Sequence, residues 1–253
     1  MARNDDGTKP GRFPITRLFS GAYAHTEEWQ KAIGEVFLLM HVRISQADDK
    51  YPQTLNRFLE NRAPKYIFAL GDLDLLRQET VALFCSVKCP GNLILKTYDL
   101  ARQLRDAKTA VISGFHSPME KECLSLLLRG EQPIIWCPAK RLTPTRLPKE
   151  YANALSKGRL LMLSPFGERT KRADEQTARV RNEFVAALAN RVFVAHAASG
   201  GKTEKFCRKV IGWRKPLLTF KDPSNIALLN SGAFPFSGLD DIGARGQAIV
   251  IRY

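Results

Sequence analysis

No stretch of this 253-residue chain approaches the ~20 consecutive apolar residues that span a membrane. Its opening, MARNDDGTKPGRFP, lacks the apolar core of a secretory signal. Residues 1–14 are therefore expected to be a disordered arm, and the protein to be cytoplasmic with no membrane partner. The five cysteines (Cys85, Cys89, Cys123, Cys137 and Cys207) are odd in number and contain no C-x-x-C pair. That argues against a disulfide scaffold and against a zinc site, so no metal is expected. Cys85 and Cys137 end apolar runs and read as packing residues. Internal repeats and low-complexity tracts are missing too. Acidic residues are few: 25 Asp and Glu stand against 39 Lys and Arg, a formal net charge of +14. Such an excess argues for an anionic partner, nucleic acid first, because lysines and arginines that neutralise phosphates release counterions.

What is present is a regular alternation. The chain is long enough for one large domain with an appendage, and its 44% hydrophobic content is that of a globular protein. Gly34–Gln46 has apolar residues at mixed spacing, and periodicity does not separate helix from strand there. A helix near Tyr51–Leu55 and a proline break lead to an apolar strand ending at Gly71-Asp72. Buried strands follow at Val81–Cys85, Ala110–Gly114, Pro133–Cys137, Leu160–Ser164, Arg191–Ala195 and Pro216–Phe220. Helical patterns separate them, among them Asn92–Ala107 and a helix from Pro118 to about Leu128. Near-continuous apolar strands alternating with helices predict an α/β fold, a parallel sheet covered on both faces. Residues 63–238 are assigned to this domain, 15–62 to a small, mostly helical N-terminal segment and 239–253 to a tail.

In such sheets a ligand sits beyond the carboxyl ends of the strands. The segments there include Ser86-Val87-Lys88, Ser113–Ser117, Pro138–Lys140, Ser164–Gly167 and His196–Thr203. Ser117 before Pro118 offers a helix start suited to an anion, and equally an ordinary cap. Arg181 can clamp a phosphate, with Asn182 fixing a loop or a sugar hydroxyl; the plain alternative is a surface salt bridge. Ser199-Gly200-Gly201-Lys202-Thr203 resembles a nucleotide loop, but no glycine stands where the first Gly of a Walker A motif would fall. Residues 201–221 carry Lys202, Lys205, Arg208, Lys209, Arg214, Lys215 and Lys221 with Phe206, Trp213 and Phe220 interleaved. Basic charge with aromatics suits single strands, although Phe206 and Phe220 are equally suited to the core. His116 and His196 each follow a strand end, without a carboxylate pattern that would make them proton carriers. No catalytic residue is assigned.

From about Tyr51 to Ala233 the chain resembles the DNA-processing protein A family of recombination mediators, part of a Rossmann-like superfamily that includes cytokinin-activating phosphoribohydrolases. The stretches that carry it are Pro64–Asp72, Val81–Lys88, Val111–Gly114, the Arg181–Ala189 helix, Ser199-Gly200, and the closing element with Asn225, Leu228, Leu229, Gly232 and Ala233. The resemblance implies an extended Rossmann-like sheet. It also implies phosphate or nucleic-acid contacts at Ser86, Lys88, Ser113, Gly114, Ser117, Arg181, Asn182, Ser199, Gly200, Gly201, Lys202 and Thr203. The family's Gly-Ser-Arg is Cys85-Ser86-Val87 here, with Lys88 placed to restore the charge. Its Gly-Ile-Asp is Pro118-Met119-Glu120, and the second Arg of its Arg-Asn-Arg is Glu183. The phosphate cradle is thus altered, and the short stretch after Ala233 suggests a core-only member without the usual winged helix. The implied function is non-enzymatic: single-stranded DNA held in a basic crevice and passed to a recombinase or other processing protein, by a chain that forms a homodimer and needs no cofactor. The alternative is a small-nucleotide sensor or N-glycosidic hydrolase. The hydrolase loop of those relatives needs a Glu where Phe206 stands.

Overall fold

The structure, a computed structural model, describes residues 42–143 and 147–243. The arm at 1–14, the N-terminal segment up to residue 41 and the tail beyond 243 lie outside the described residues. Nine strands form one sheet: β1 (Val42–Ser45), β2 (Tyr66–Gly71), β3 (Thr80–Phe84), β4 (Ala110–Ser113), β5 (Ile134–Trp136), β6 (Leu160–Ser164), β7 (Arg191–Val194), β8 (Leu217–Phe220) and β9 (Phe234–Phe236). Seven α-helices accompany them among the described residues: α1 (Gln53–Leu59), α2 (Gly91–Asp106), α3 (Pro118–Leu128), α4 (Lys149–Ser156), α5 (Glu175–Leu188), α6 (Lys202–Gly212) and α7 (Ile226–Asn230).

The strand order is β1-β2-β6-β5-β4-β3-β7-β8-β9. From β6 to β9 every pair is parallel, as expected. The β6 edge departs from that expectation, since β2 runs antiparallel to both β6 and β1. The span that was ambiguous in sequence thus ends in a strand, and the segment expected to be helical supplies β1 as well as α1. β1 is hydrogen-bonded into the main sheet although it precedes residue 63.

Period-two alternation sorts the strand side chains into two layers. Val81, Leu83 and Cys85 pack with α2, α3 and α4 through Leu93, Leu100, Leu104, Cys123, Leu127 and Ala154. Ala82 and Phe84 face the other way and meet Leu55 of α1, Phe184 of α5, and Phe206 and Val210 of α6. Each large side chain buried in these layers contributes about 1.5–3 kcal/mol. Helix starts are set locally. Ser117 caps α3, with Glu120 completing the capping box and Pro118 at the first position. Asp174 and Thr177 do the same for α5. The chain winds outward from β3 through β4 and β5 to β6, then crosses back to lay β7 on the other side of β3. In open α/β sheets such a reversal is where ligands sit, here beyond the carboxyl ends of β3 and β7.

Candidate nucleic-acid interface

Backbone and side chain lace the reversal together. Ser86 donates its N–H to the His196 carbonyl (2.9 Å), and its hydroxyl accepts the Ala198 N–H (3.1 Å). His196 is buried, and its Nδ1 lies 3.0 Å from Asn225 Oδ1. Asn225 in turn donates to the Ala195 carbonyl (3.0 Å) and to Thr219 Oγ1 (2.8 Å), tying the ends of β7 and β8. His116 is exposed, and no hydrogen bond links the two histidines. Past Ser86 the chain surfaces. Val87 is 73% exposed and Lys88 is free of ion pairs among the described residues.

At the end of β4 the polar groups are spent internally. Ser113 is fully buried; its hydroxyl donates to the Leu83 carbonyl (2.7 Å) and accepts the Phe115 N–H (3.2 Å). Ser117 accepts the Glu120 N–H (3.2 Å). The Glu120 carboxylate gathers the N–H groups of Cys85 (3.0 Å), His116 (2.8 Å) and Ser117 (3.4 Å). The helix end that looked suited to an external anion therefore already holds the chain's own carboxylate.

Arg181 is 3% exposed. Its Nη1 donates to the Cys137 carbonyl (3.2 Å) and its Nε to Asn182 Oδ1 (2.8 Å). The guanidinium lies against Gly114 so closely that a Cβ there would fall 1.2 Å from Nη1. Glycine at 114 is what lets the arginine in. Burial lowers the Arg181 pKa, and the Glu120 charge opposes that effect. Arg181 is a strut tying α5 to the ends of β4 and β5, rather than an open fork.

The β7–α6 loop is the exposed part of the motif set. Gly200 sits at φ +71°, in the left-handed region that favours glycine. Its N–H donates to Glu204 Oε2 (2.6 Å), and Glu204 Oε1 accepts from Arg208 (2.9 Å). Arg208 and the Gly200 amide hold the Glu204 carboxyl below the usual carboxylate range. Gly201 is the N-cap, and the Lys205 N–H returns to its carbonyl at 3.1 Å. The N–H groups of Lys202 and Thr203 precede that bond and have no partner within the helix. Ser199 and Lys202 are exposed, and Lys202 reaches Glu175 at 2.6 Å.

The remaining basic residues of the 201–221 run fare differently from one another. Lys209 pairs with Glu183 (2.7 Å), which also pairs with Arg62. This is where the Glu that replaces the family's second Arg finds its partners. Lys215 is buried, donates to the Ala186 (2.6 Å) and Ala187 (2.9 Å) carbonyls at the end of α5, and sits 4.2 Å over the Phe58 ring. Phe206 and Phe220 are buried and Trp213 packs on Phe58, so no row of aromatics faces out. Lys205, Arg214 and Lys221 make no ion pair among the described residues.

One basic feature was not legible as a motif. The loops after β5 and β6 are fastened together: the Arg141 N–H donates to the Thr170 carbonyl (2.9 Å), and the Ser164 hydroxyl to the Lys140 carbonyl (2.8 Å). They carry Lys140, Arg169, Lys171 and Arg172, all exposed, and Arg179 follows on α5. None of the five makes an ion pair among the described residues. Half-buried Phe166 sits in the same loop, its N–H held by the Ser164 hydroxyl (3.1 Å). Arg169, Lys171 and Arg172 stand together in sequence, but it is the fold that brings Lys140 beside them.

A doubly wound sheet with its polar loops gathered at the strand reversal defines a Rossmann-like protein. Residues 42–212 match the family described as DNA recombination-mediator protein A, and the chain belongs to that family. Among solved structures, it is similar to DNA processing protein A from Streptococcus pneumoniae, with 20% identity, TM-score 0.67, and 85% of this chain and 77% of that one covered. It is also similar to DNA processing protein A from Helicobacter pylori, with 18% identity, TM-score 0.63, and 80% and 92% covered. That second structure is described as showing a single-stranded DNA binding mode. No curated protein matches the sequence. At these identities the structural likeness establishes the fold. No helix among the described residues is long and apolar enough to cross a membrane.

Proposed function

We propose that this chain binds single-stranded DNA across the carboxyl end of its sheet and delivers it to a recombinase or other processing protein, acting in the cytoplasm as a homodimer. The observation that carries the reading is the set of unpaired cations at that end: Lys88 after β3, Lys140 after β5, Arg169, Lys171 and Arg172 after β6, and Arg179 on α5. Family membership supports the same direction. Backbone phosphates would run along this rim and reach the β7–α6 loop, where Ser199, Gly201, Lys202 and Thr203 are the contact candidates and Gly200, its N–H held by Glu204, shapes the turn. Ser86, Ser113, Gly114, Ser117, Arg181 and Asn182 shape the floor, since their polar groups are bonded within the protein. The small-nucleotide alternative gains no supporting contact, because Glu204 already accepts the Gly200 N–H that such a phosphate would need.

Fluorescence anisotropy of a labelled oligothymidylate, at two or more salt concentrations, tests the reading. The expected result is binding that weakens steeply with salt, as counterion release requires. Salt-independent affinity, or none, overturns it.

A further inference from the structure

The basic loop beside the crevice is not as basic as its sequence. Glu204 has a side chain only 3% exposed, yet it is ionised between Arg208 and the Gly200 N–H. Glu175, at the start of α5, crosses to Lys202 at the start of α6, and both side chains are more than 70% exposed. The two carboxylates therefore lie on the groups a phosphate would use: the glycine amide, the loop lysine and the nearby arginine.

Resting on the single-strand reading above, we propose that Glu204 and Glu175 are specificity-determining residues: built-in counter-ions that deny the β7–α6 loop to a lone phosphate and yield it only to a polyanion. A single phosphate arriving there meets two carboxylates, finds Lys202 and Arg208 already paired, and has Lys205 alone among the cations of the first two turns without an ion pair among the described residues. A nucleic-acid strand already held on Lys140, Arg169, Lys171 and Arg172 presents its next phosphates at high effective concentration. It can displace the exposed Glu175 from Lys202, because such a solvent-screened pair is weak. Glu204 is buried and doubly bonded and stays in place, so its charge keeps acting on whatever occupies the loop. Selectivity for a strand over a nucleotide thus arises from repulsion built into the loop as well as from attraction on the rim.

The test titrates labelled oligothymidylate and labelled thymidine monophosphate against wild-type protein, Glu204→Gln, Glu175→Gln and the double variant, with a circular-dichroism melt of each. Glutamine keeps an oxygen for the Gly200 N–H while removing the charge. The expected result is about fivefold tighter oligonucleotide binding in Glu204→Gln, a smaller gain in Glu175→Gln, and mononucleotide binding that emerges only in the double variant. If Glu204→Gln unfolds, the exposed Glu175→Gln carries the test by the same criterion, a gain in affinity. Unchanged or weaker oligonucleotide binding in folded variants, beside salt-dependent binding by wild type, overturns the counter-ion role alone. Absence of binding by every protein, variants included, overturns both this role and the single-strand reading.

Discussion

The two halves of the sheet's carboxyl end are built on opposite plans. From β4 across β3 to β7, where the recognisable motifs lie, carboxylates and buried groups take up many of the donors: Glu120 serves three backbone amides, Glu204 serves Gly200 and Arg208, and Arg181 is buried against Gly114. On the β5–β6 side, where there is no motif, Lys140, Arg169, Lys171 and Arg172 stand in water without acidic partners. The motifs therefore record what holds the crevice in shape, and the unpatterned loops supply the free charge. Electrostatic binding follows net unpaired charge rather than motif identity.

The sharpest way to break this contrast is through the strut. Arg181→Ala leaves Glu120 in a buried site without its nearby cation and the Cys137 carbonyl without its donor. A loss of about 3 kcal/mol is expected in chemical denaturation. Gly114→Ala forces the guanidinium out, so the two substitutions should be strongly non-additive in a double-mutant cycle. An additive pair would mean that the arginine does not depend on the glycine.

Replacing Lys140, Arg169, Lys171 and Arg172 together with alanine should leave the melting temperature nearly unchanged while reducing oligothymidylate affinity severely. The slope of log K against log salt should shrink by about 3, at ~0.7 per neutralised phosphate on a single strand. An unchanged slope would move the binding surface elsewhere. Lys88→Ala, one charge on the motif side, should reduce the same slope by about 0.7.

Lys215 offers a pH test of the interior. Burial, aided by the nearby Arg57 charge, draws its ammonium down to about 7. In an unfolded chain it titrates near 10.4, so between those values the unfolded state holds the extra proton. Stability should therefore rise with pH from about 7 towards 10, with a slope of up to ~1.4 kcal/mol per unit. Below the folded value both states are protonated and this contribution is absent. Denaturation midpoints that rise equally in Lys215→Met would assign the trend to other groups. The smallest effect belongs to the Lys202–Glu175 pair: breaking it with Lys202→Ala should cost less than about 1 kcal/mol in the same assay.

Much of the architecture was legible. The six buried strands from β3 to β8 fall where their apolar runs lie, and the Ser117-Pro118 start and Leu128 end of α3 match the structure. Capping and strand burial are local, and local physics is what a sequence displays. The reversed β2 was not legible, because direction within a sheet is decided by tertiary pairing. Nor was β9, a three-residue Phe-Pro-Phe strand too short, and with a central proline, to stand out. Arg181 was identified as important, but a linear sequence does not separate a surface clamp from a buried strut; the deciding atom is the missing Cβ of Gly114. Glu204 lies four residues from both Gly200 and Arg208, a spacing that could have revealed its pairing.

The bond between the Arg141 amide and the Thr170 carbonyl couples the two rim loops mechanically. A residue inserted into either loop would shift the lysine or the three arginine-and-lysine neighbours carried by the other, so these loops should tolerate length changes only in concert. The reach of the rim across the sheet is thereby a property of the joined pair, and neither loop can drift in length on its own without spoiling the spacing of its partner's charges.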